Sequence, residues 1–349
     1  METKLRRKSY VAFLVIFITL ICACGSGCAT KKDGKTANEN EEKRTIFAMD
    51  TCMTLQIWGV QAKEAMDAAV AEIEHLDRLL STGSPDSEVS MLNQMHEGVV
   101  GNDTAALLAR SLALFFETDG AFDITVFPLM EAWNFTGDNP RVPSKKELAG
   151  LTRQVDSSLI LFEPDNKQVS FPETVKIDFG GIAKGYTGKK IAELLKDYDV
   201  TGALLNLGGN VQLVGAKTDG SKWNIAIQSP KKDGYLGTVF TSDCAVVTSG
   251  GYERYFVEDG ITYHHILDPK TGYPAQSGLA SVTVICADGT LADGLSTALF
   301  VMGEKRALEF WRNRRYEFDC ILYTDTGELL VTGGLKDCFS SELSYRIVE

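Results

Sequence analysis

A glycine-rich turn near the middle of this chain has the residue types that a phosphate site needs. It reads KIDFGGIAKGY over residues 176–186, and it places Gly180, Gly181 and Gly185 around Lys184 between an apparent strand and an apparent helix. Glycines let a backbone approach a ligand closely, and the first N–H groups of a helix attract an anion. The turn is therefore a candidate for binding a phosphate group.

This turn matches neither of the two standard phosphate signatures. The dinucleotide fingerprint G-x-G-x-x-G would need glycine at Ile182, and the Walker loop would need lysine at Tyr186. The same residues also suit a structural interpretation, in which Asp178 caps the following helix and the glycines make a tight turn. On local sequence alone, both interpretations stay open.

A pair of adjacent histidines offers a general base. His264 and His265 lie in the stretch YHHILDPKTG at residues 263–272, and Asp268 follows closely. Neighbouring residues on a strand face opposite sides, so only one of the two can serve a given site. A histidine titrates near neutral pH and can take a proton from a hydroxyl group. The alternative is a structural histidine followed by a plain turn.

An acid and an alcohol lie one helical turn apart in LADGLSTALFVMG, at residues 291–303. If this stretch is a helix, Asp293 and Thr297 share one face, because side chains four residues apart lie one above the other. A carboxylate and a hydroxyl with open positions beside them suit a hard cation such as Mg²⁺, which also binds substrate phosphates. In the alternative interpretation, Asp293 caps the helix and Thr297 only packs.

Smaller signals lie at the ends of three other strand-like runs. They are glycine turns or isolated acids, found in GAFDIT at 120–125, LNLGGN at 205–210 and TSGG at 248–251. Each signal is weak by itself. Together they are typical of a long phosphate-bearing ligand that lies across the rim of a sheet.

The elements that would position these residues are helices and short strands in irregular order. Helical spacing of apolar residues predicts four helices, near residues 61–80, 104–117, 182–195 and 291–302. An alternating run predicts one strand over residues 45–59. After Leu151 most of the chain reads as short strands, with hairpin turns at 219–220, 259–260 and 325–327. This order predicts an α+β fold, since a doubly wound parallel sheet would show regular strand–helix alternation.

The first 23 residues have the pattern of a lipoprotein signal peptide. Basic residues precede the apolar run YVAFLVIFITLICAC at residues 10–24, which is short for a membrane span. The run ends in LICAC, which resembles a bacterial lipobox, and we predict that Cys24 is lipidated. Cys28 is a second candidate, and an uncleaved signal anchor is the alternative for the whole segment.

These features predict an extracytoplasmic protein that a lipid anchors to the bacterial cell membrane. Residues 24–44 are polar and charged, with almost no apolar side chain, which predicts a flexible tether of roughly 25 Å. The folded domain would then occupy residues 45–349. A lipid modification of this kind attaches a protein to a membrane and does not make it span.

Charge and cysteine content argue against three other classes of protein. The formal net charge of −12 disfavours a general nucleic-acid binder, which needs a basic face. Five cysteines follow the N-terminal segment, an odd number without C-x-x-C spacing, which disfavours a disulfide framework and a zinc site. We therefore expect most of these cysteines to be buried small hydrophobic residues.

Read in order, the motifs of this chain resemble those of the FAD:protein FMN transferases, the ApbE-type flavin transferases. The resemblance extends from about residue 49 to the C-terminus. It rests on eight stretches: MDTCMTL at 49–55, LLSTGSPDSEVSMLN at 79–93, GAFDITVFPL at 120–129, DFGGIAKGY at 178–186, LNLGGN at 205–210, TSGGYERYF at 248–256, HILDPKTGYP at 265–274 and ADGLSTALFVMG at 292–303. The ordered set is specific, although no single member is.

The resemblance implies a fold, a substrate and a reaction. The fold would be an ApbE-like (T-fold-like) domain with antiparallel sheets and helices around a flavin-binding cleft. Members of the family cleave FAD at its pyrophosphate, transfer FMN to a Thr or Ser hydroxyl of an acceptor protein, and release AMP with the help of Mg²⁺. The acceptors are typically extracytoplasmic or membrane-associated redox proteins.

Carried over by motif, the resemblance also implies roles for individual residues. Seven residues would contact FAD: Met49, Ala121, Phe122, Asp123, Asp178, Lys184 and Ile266. Mg²⁺ would be held by the backbone carbonyl of Gly181 and by the side chains of Asp293 and Thr297. His265 would take the proton of the acceptor hydroxyl. One position departs from the family, because many members have tyrosine, against the flavin, where this chain has Gly83.

Two other functions are compatible with the same residues. With water as the nucleophile, the protein would be an FAD pyrophosphatase that yields FMN and AMP. Without chemistry, it would be a lipoprotein that only binds FAD. The joint presence of the Asp293 and Thr297 pair and of His265 favours the transferase.

Overall fold

Helices and strands alternate irregularly along residues 40–349, the part of the chain that the computed structural model describes. This part contains seven α-helices: α1 (Ala62–Leu80), α2 (Glu88–Met95), α3 (Asn102–Glu117), α4 (Phe127–Trp133), α5 (Lys145–Leu151), α6 (Ala183–Leu194) and α7 (Gly289–Arg312). It also contains seventeen strands: β1 (Asn40–Ala48), β2 (Thr51–Gly59), β3 (Glu97–Val99), β4 (Leu161–Glu163), β5 (Gln168–Ser170), β6 (Val200–Leu207), β7 (Asn210–Gly215), β8 (Trp223–Gln228), β9 (Tyr235–Thr241), β10 (Ala245–Gly250), β11 (Tyr255–Glu258), β12 (Ile261–His264), β13 (Leu279–Cys286), β14 (Asp319–Thr324), β15 (Leu329–Thr332), β16 (Phe339–Ser340) and β17 (Arg346–Val348). The predicted signal peptide, Cys24 and residues 24–39 of the predicted tether lie outside the described residues.

Nine of these strands form one large sheet. Their order across the sheet is β1-β2-β6-β7-β10-β13-β14-β15-β17. Every neighbouring pair is antiparallel except β15 and β17, which are parallel. Three small sheets contain the other described strands, in the orders β3-β5-β4 and β16-β9-β8 and as the hairpin β11-β12. The predicted α+β class with antiparallel sheets is therefore confirmed.

Both faces of the large sheet are covered, which explains why its central strands are apolar on both sides. In β10, Ala245 and Val247 belong to the core shared with α7, whereas Val246 belongs to the core shared with β8 and β9. Alternate side chains of a strand point to opposite faces, so one strand serves both cores. Helices α6 and α7 lie side by side over β7, β10 and β13, and they bring the glycine turn and Asp293 together.

The first two strands differ from the prediction in two ways. β1 begins at Asn40, so residues 40–44, predicted as the end of the tether, are part of the sheet. Residues 45–59 form two paired strands and not one, because the chain reverses at Met49 and Asp50. Both residues have positive φ, 47° and 56°, although neither is glycine. The sequence therefore lacks the Asn-Gly or Asp-Gly signal that usually identifies a hairpin turn.

The predicted helices agree with the structure in position and differ in length. α7 continues to Arg312, beyond the predicted end at residue 302. Gly303, with φ of 76°, interrupts the helical backbone just after that residue, which explains why the apolar periodicity ends there. Three of the five cysteines in the described residues are buried: Cys244, Cys286 and Cys320. Among residues 40–349, no helix has the length and apolar character that a membrane crossing requires.

Candidate active site

Asp178 lies just before the glycine turn and folds back onto it. Its N–H donates to the carbonyl of Ile124 over 2.8 Å, and its Oδ1 accepts from the N–H of Gly180 over 2.7 Å. The N-cap residue of α6 is Ile182, and no side chain caps that helix. The structural alternative, in which Asp178 caps the helix, is therefore wrong. The contact with Ile124 brings the turn beside the GAFDIT segment.

Gly181 shares a small space with an aromatic ring and a hydroxyl group. A Cβ built on Gly181 would lie 3.3 Å from Phe122 Cε2 and 3.9 Å from Thr297 Oγ1. The Ser249 hydroxyl lies 3.3 Å from Thr297 Oγ1 and 2.8 Å from the hydroxyl of Ser296. The three chain segments that carry Phe122, Gly181 and Thr297 thus meet at one point, as predicted for the site.

Asp293 lies directly against the first turn of α6. It is buried, and its Oδ2 accepts from the N–H of Gly185 over 2.8 Å. The helices approach so closely because Gly185 lacks a side chain. A Cβ there would lie 2.1 Å from the Gly289 carbonyl oxygen and 2.5 Å from Asp293 Cβ. The N-cap of α7 is Asp288, so the alternative in which Asp293 caps its helix is wrong.

The anion at the start of α6 is a carboxylate of the protein itself. Burial raises the pKa of Asp293, and the N–H groups of Gly185 and Lys184 act in the opposite direction. The N–H groups of Ile182 and Ala183 donate to the carbonyl of Phe179. The expectation that the first N–H groups of this helix cradle a phosphate is therefore wrong for these four groups. They hold Asp293 or close the turn.

Lys184 connects the acids with the candidate base. Its side chain is half-buried, and its Nζ donates to the carbonyl of Gly180 over 3.3 Å. Burial raises the pKa of Asp178, and the Gly180 N–H and then the Lys184 ammonium oppose that rise. The same ammonium opposes the rise in the pKa of Asp293 and helps to lower the pKa of His265. The Lys184 ammonium is therefore held against the glycine turn.

The oxygen atoms around Asp293 suit a hard cation. Within residues 40–349, no group of three or more His, Cys, Asp or Glu could hold a metal, so a cation here would also need hydroxyl and carbonyl ligands. Thr297 and the carbonyl of Gly181 can supply them. Asn210 is 2% exposed, and its amide lies close enough to Asp293 to lower the pKa of that carboxyl, but it makes no hydrogen bond of ordinary geometry among the described residues. Buried amides are normally paired, so a polar ligand beside Asp293 fits this site.

The two adjacent histidines have different surroundings. His265 Nδ1 lies 3.2 Å from the carbonyl oxygen of Arg254, whereas the ring of His264 contacts Ala275 and stacks edge-on against Phe300. Burial, and then the Arg254 guanidinium, lower the pKa of His265 to about 3, so its ring is neutral at pH 7. If Nδ1 donates to the carbonyl, Nε2 is free to accept a proton. His265 thus has the charge state of a general base.

The hairpin turn before β2 brings Met49 to α6. Met49 Sδ lies 3.7 Å from Thr187 Oγ1, and the Met49 N–H donates to Asp77 Oδ1 over 3.0 Å. The Arg254 guanidinium donates to the carbonyl of Asp50 over 2.8 Å. Arg254 therefore connects the Met49 turn to His265, because its own carbonyl contacts the Nδ1 of that histidine. The predicted FAD contact at Met49 stays a prediction, in a position that reaches the site.

The side chain of Asp123 has a structural role. Its Oδ1 accepts from the N–H and hydroxyl of Thr125 over 2.8 and 2.6 Å and from the Ser157 hydroxyl over 2.6 Å. Burial raises its pKa in spite of these bonds. FAD would thus contact Asp123 mainly through the backbone of that residue. The neighbouring Ala121 and the more distant Ile266 are both buried.

Three polar residues near the site were not assigned roles from the sequence. Ser249 and Arg254 lie in TSGGYERYF, and Asn210 lies in LNLGGN. Both stretches contain glycine turns, so their location was indicated. The sequence does not indicate which polar side chain of a turn points inward, because that depends on the neighbouring strands.

Comparison with known proteins agrees with this geometry. The sequence model of the ApbE family matches residues 49–322. The chain belongs to the ApbE family. It is 30% identical to the FAD:protein FMN transferase of Treponema pallidum over 329 residues, which covers 87% of this chain and 90% of the relative. It is 33% identical to the FAD:protein FMN transferase of Vibrio cholerae, with 78% and 86% covered.

Solved structures of ApbE proteins have the same fold. The ApbE protein of Thermotoga maritima superimposes with a TM-score of 0.78 at 34% identity, covering 83% of this chain and 96% of that chain. The flavin transferase ApbE of Vibrio cholerae superimposes with a TM-score of 0.76 at 28% identity, covering 86% and 99%. The expected ApbE-like fold is therefore confirmed.

Proposed function

We propose that this ApbE family protein transfers FMN from FAD to a Thr or Ser hydroxyl of an acceptor protein, with release of AMP and with Mg²⁺ as cofactor. The observation that carries the proposal is the contact between the start of α6 and α7. Asp293 Oδ2 accepts from the N–H of Gly185 over 2.8 Å, and Thr297 Oγ1 lies near Gly181 in the same turn. The Lys184 Nζ lies against the Gly180 carbonyl of this turn, so two candidate metal ligands and a positive group border one another. A phosphate under attack by a hydroxyl needs this arrangement, and the relatives named FAD:protein FMN transferase support it.

Each polar group of the site has a role in this reaction. Phosphoryl transfer depends on positioning and charge neutralisation more than on covalent help from the protein. Mg²⁺ held by Asp293, Thr297 and the carbonyl of Gly181 would neutralise the charge of the pyrophosphate. The Lys184 ammonium would bind a phosphate oxygen on the side nearer His265. Gly185 and the buried Asn210 would keep the Asp293 carboxylate in place.

His265 would act on the acceptor and not on FAD. Its neutral ring accepts the proton of the Thr or Ser hydroxyl through Nε2, while Nδ1 stays against the carbonyl of Arg254. The hydroxyl oxygen forms a bond to the phosphorus of the FMN half, and the bond to the bridging oxygen breaks. AMP leaves with that oxygen. Water in the place of the hydroxyl gives the FAD pyrophosphatase, which is the alternative reaction of this site.

The test is to incubate the purified protein with FAD, Mg²⁺ and an acceptor redox domain. Covalent FMN on the acceptor together with free AMP supports the transferase. Free FMN with an unmodified acceptor indicates the pyrophosphatase, and intact FAD indicates a protein that only binds FAD. Either of these results contradicts the proposal.

A pair of matched variants tests the base. His265→Asn should slow the transfer of FMN by about 10²-fold or more and leave FAD affinity nearly unchanged, because general base catalysis typically contributes that factor. His264→Asn alters the adjacent ring, which contacts Ala275 and Phe300, and should keep most of the activity. Equal losses of activity in the two variants would contradict the role of His265.

We also propose that the folded domain lies outside the cytoplasm and is anchored to the cell membrane through a lipid on Cys24. The basic residues, the apolar run and the LICAC sequence of the first 24 residues support this location. The acceptor would then be an extracytoplasmic or membrane-associated redox protein. Recovery of the mature protein in the soluble fraction without a lipid would contradict the proposal.

A further inference from the structure

We propose that the free edge of β11 binds an extended segment of the acceptor protein, next to the residue that receives FMN. The inference rests on the proposed function, because it locates the docking site of the protein substrate. β11 and β12 form a two-stranded sheet of their own. Asp259 and Gly260 join the two strands, and both have positive φ, 51° and 77°. This is the tight turn that two-residue hairpins favour.

The register of the hairpin shows which backbone groups face outward. At its base, the His265 N–H donates to the carbonyl of Arg254 over 3.1 Å. Arg254 and His265 are therefore a hydrogen-bonded pair. Hydrogen-bonded and non-hydrogen-bonded pairs alternate along an antiparallel ladder, so the next pair, Tyr255 with His264, is not hydrogen-bonded. By the same alternation, the N–H and C=O of Tyr255 and Val257 point away from β12.

These outward groups of β11 are open. None of them has a backbone partner among residues 40–349 beyond the hairpin itself. Tyr255 is 51% exposed and Val257 is 59% exposed. The opposite edge differs, because its outward residues are Thr262 and His264, and the ring of His264 contacts Ala275 and Phe300. Thr262 on that edge is exposed as well, so β11 differs in being the edge that stays open along its whole length.

β11 has only part of the usual protection of an edge strand. Natural edge strands are protected by shortness, by charged side chains and by proline, lysine or a bulge. β11 reads YFVE: it is short and ends in Glu258, but it contains no proline, lysine or bulge. The other face of the hairpin is firmly supported, since Phe256 and Tyr263 pack against Trp133. Such an edge is suited to pair with an extended peptide.

The residues at the end of β11 indicate which peptide would pair with its free edge. Arg254 immediately precedes β11, and its carbonyl contacts both the N–H and Nδ1 of His265. A strand added to β11 would lie about 4.8 Å from it, on the side away from β12, and so about two strand spacings from the chain that carries His265. About three residues of extended chain, at roughly 3.3 Å each, would lead from the end of this strand past Arg254 to the candidate base. The acceptor hydroxyl must reach the same base, so the segment that carries it is the natural partner for this edge.

Two matched proline substitutions test the proposal. Val257→Pro removes an N–H that faces the free edge of β11, and Thr262→Pro removes the equivalent N–H on the opposite edge. Neither N–H belongs to the ladder of the hairpin, so both variants should keep the fold. The probe is an acceptor redox domain that the wild-type protein flavinylates. Val257→Pro should lower kcat/KM for this domain about tenfold, which corresponds to one or two backbone hydrogen bonds, with FAD affinity unchanged. Thr262→Pro should resemble the wild type.

Three outcomes would overturn the docking site. They are equal kinetics for the two variants, a parallel loss of FAD affinity in Val257→Pro, and a wild-type dimer that this variant converts to a monomer without altered kinetics. Binding of an acceptor domain whose target hydroxyl is removed, measured without FAD, separates this inference from the proposed function. If the wild type binds that domain about tenfold more tightly than Val257→Pro, the edge is the docking site even if no FMN is transferred. Equal binding of that domain contradicts the inference.

Discussion

The contact between α6 and α7 at Gly185 should be intolerant of even one methyl group. In Gly185→Ala, the new Cβ would lie 2.1 Å from the Gly289 carbonyl oxygen and 2.5 Å from Asp293 Cβ, whereas ordinary contacts begin at 3.4 Å. Both neighbours are rigid parts of α7, and neither is the end of a flexible side chain. The helices must therefore separate by about 1.3 Å, which is the difference between the 2.1 Å carbonyl contact and an ordinary contact of 3.4 Å.

The cost of this separation can be estimated from two opposing effects. Overpacking a well-packed contact typically costs about 1–3 kcal/mol. Replacing glycine by alanine inside a helix favours folding by about 1 kcal/mol. The net loss of stability should be about 0–2 kcal/mol, or at most a few degrees in Tm. The function should suffer more, because the displaced Asp293 also loses its bond from the Gly185 N–H.

The assays are thermal unfolding and calorimetric titration of Mg²⁺ without FAD. Gly150→Ala in α5 is the matched control, because a Cβ there meets no atom within 4 Å. This control should leave Mg²⁺ affinity unchanged and slightly raise Tm. Gly185→Ala should lower Tm and weaken Mg²⁺ binding by about tenfold, equivalent to 1.4 kcal/mol at the site. If Gly185→Ala were as stable as Gly150→Ala and bound Mg²⁺ like the wild type, the close helix contact would not support Asp293.

Four further predictions concern single residues. The pKa of His265 is about 3 in the folded protein and 6.5 ordinarily. Between pH 3 and pH 6.5, the unfolded chain therefore carries a proton on His265 that the folded protein lacks. Stability should fall as pH falls through that window, by at most about 1.4 kcal/mol per pH unit, and this slope should be missing in denaturation curves of His265→Asn. Asp293→Asn should weaken Mg²⁺ binding more than about tenfold and, since burial penalises the charged carboxylate, raise Tm without Mg²⁺; titration and thermal melts check both. Gly83→Tyr should tighten FAD binding about 3- to 10-fold by fluorescence titration, because a Cβ there meets only Ser81 Oγ at 3.8 Å and leaves space for a stacking ring. Cys24→Ala should remove the lipid from the protein, as checked by mass spectrometry, and a variant that still carries a lipid would exclude Cys24 as the modified residue.

Elements with strong local patterns could be predicted from the sequence. The apolar spacing of α1, α6 and α7 is helical, and the Asp259-Gly260 turn indicates a hairpin. The hairpin at Met49 and Asp50 could not be predicted, because its turn residues adopt positive φ without glycine. The order of strands in the large sheet could not be predicted either, because it depends on pairing between residues far apart in the sequence, such as those of β2 and β6.

The candidate site was predictable where one motif contains the whole arrangement. Asp293 and Thr297 lie on one helix, so their spacing alone puts them on one face. Arg254 was not predictable, because its partner is the carbonyl of Asp50 in a distant part of the chain. The hydrogen bonds of Asp123 were not predictable for a similar reason, because its carboxylate accepts from Ser157, which no local motif connects to it. Its contact with FAD stays a prediction.

The site draws on chain segments that range from Met49 on the first hairpin to Thr297 in the last long helix. An incomplete chain that stops before α7 would lack Asp293 and Thr297, the candidate metal ligands, as well as the contact at Gly185. The chain should therefore bind its ligand only after the whole domain has folded. A saturating nucleotide would then stabilise the folded state and no partly folded one. A protein that crosses a membrane as an unfolded chain could carry no FAD with it, so it would have to take up its flavin at its destination.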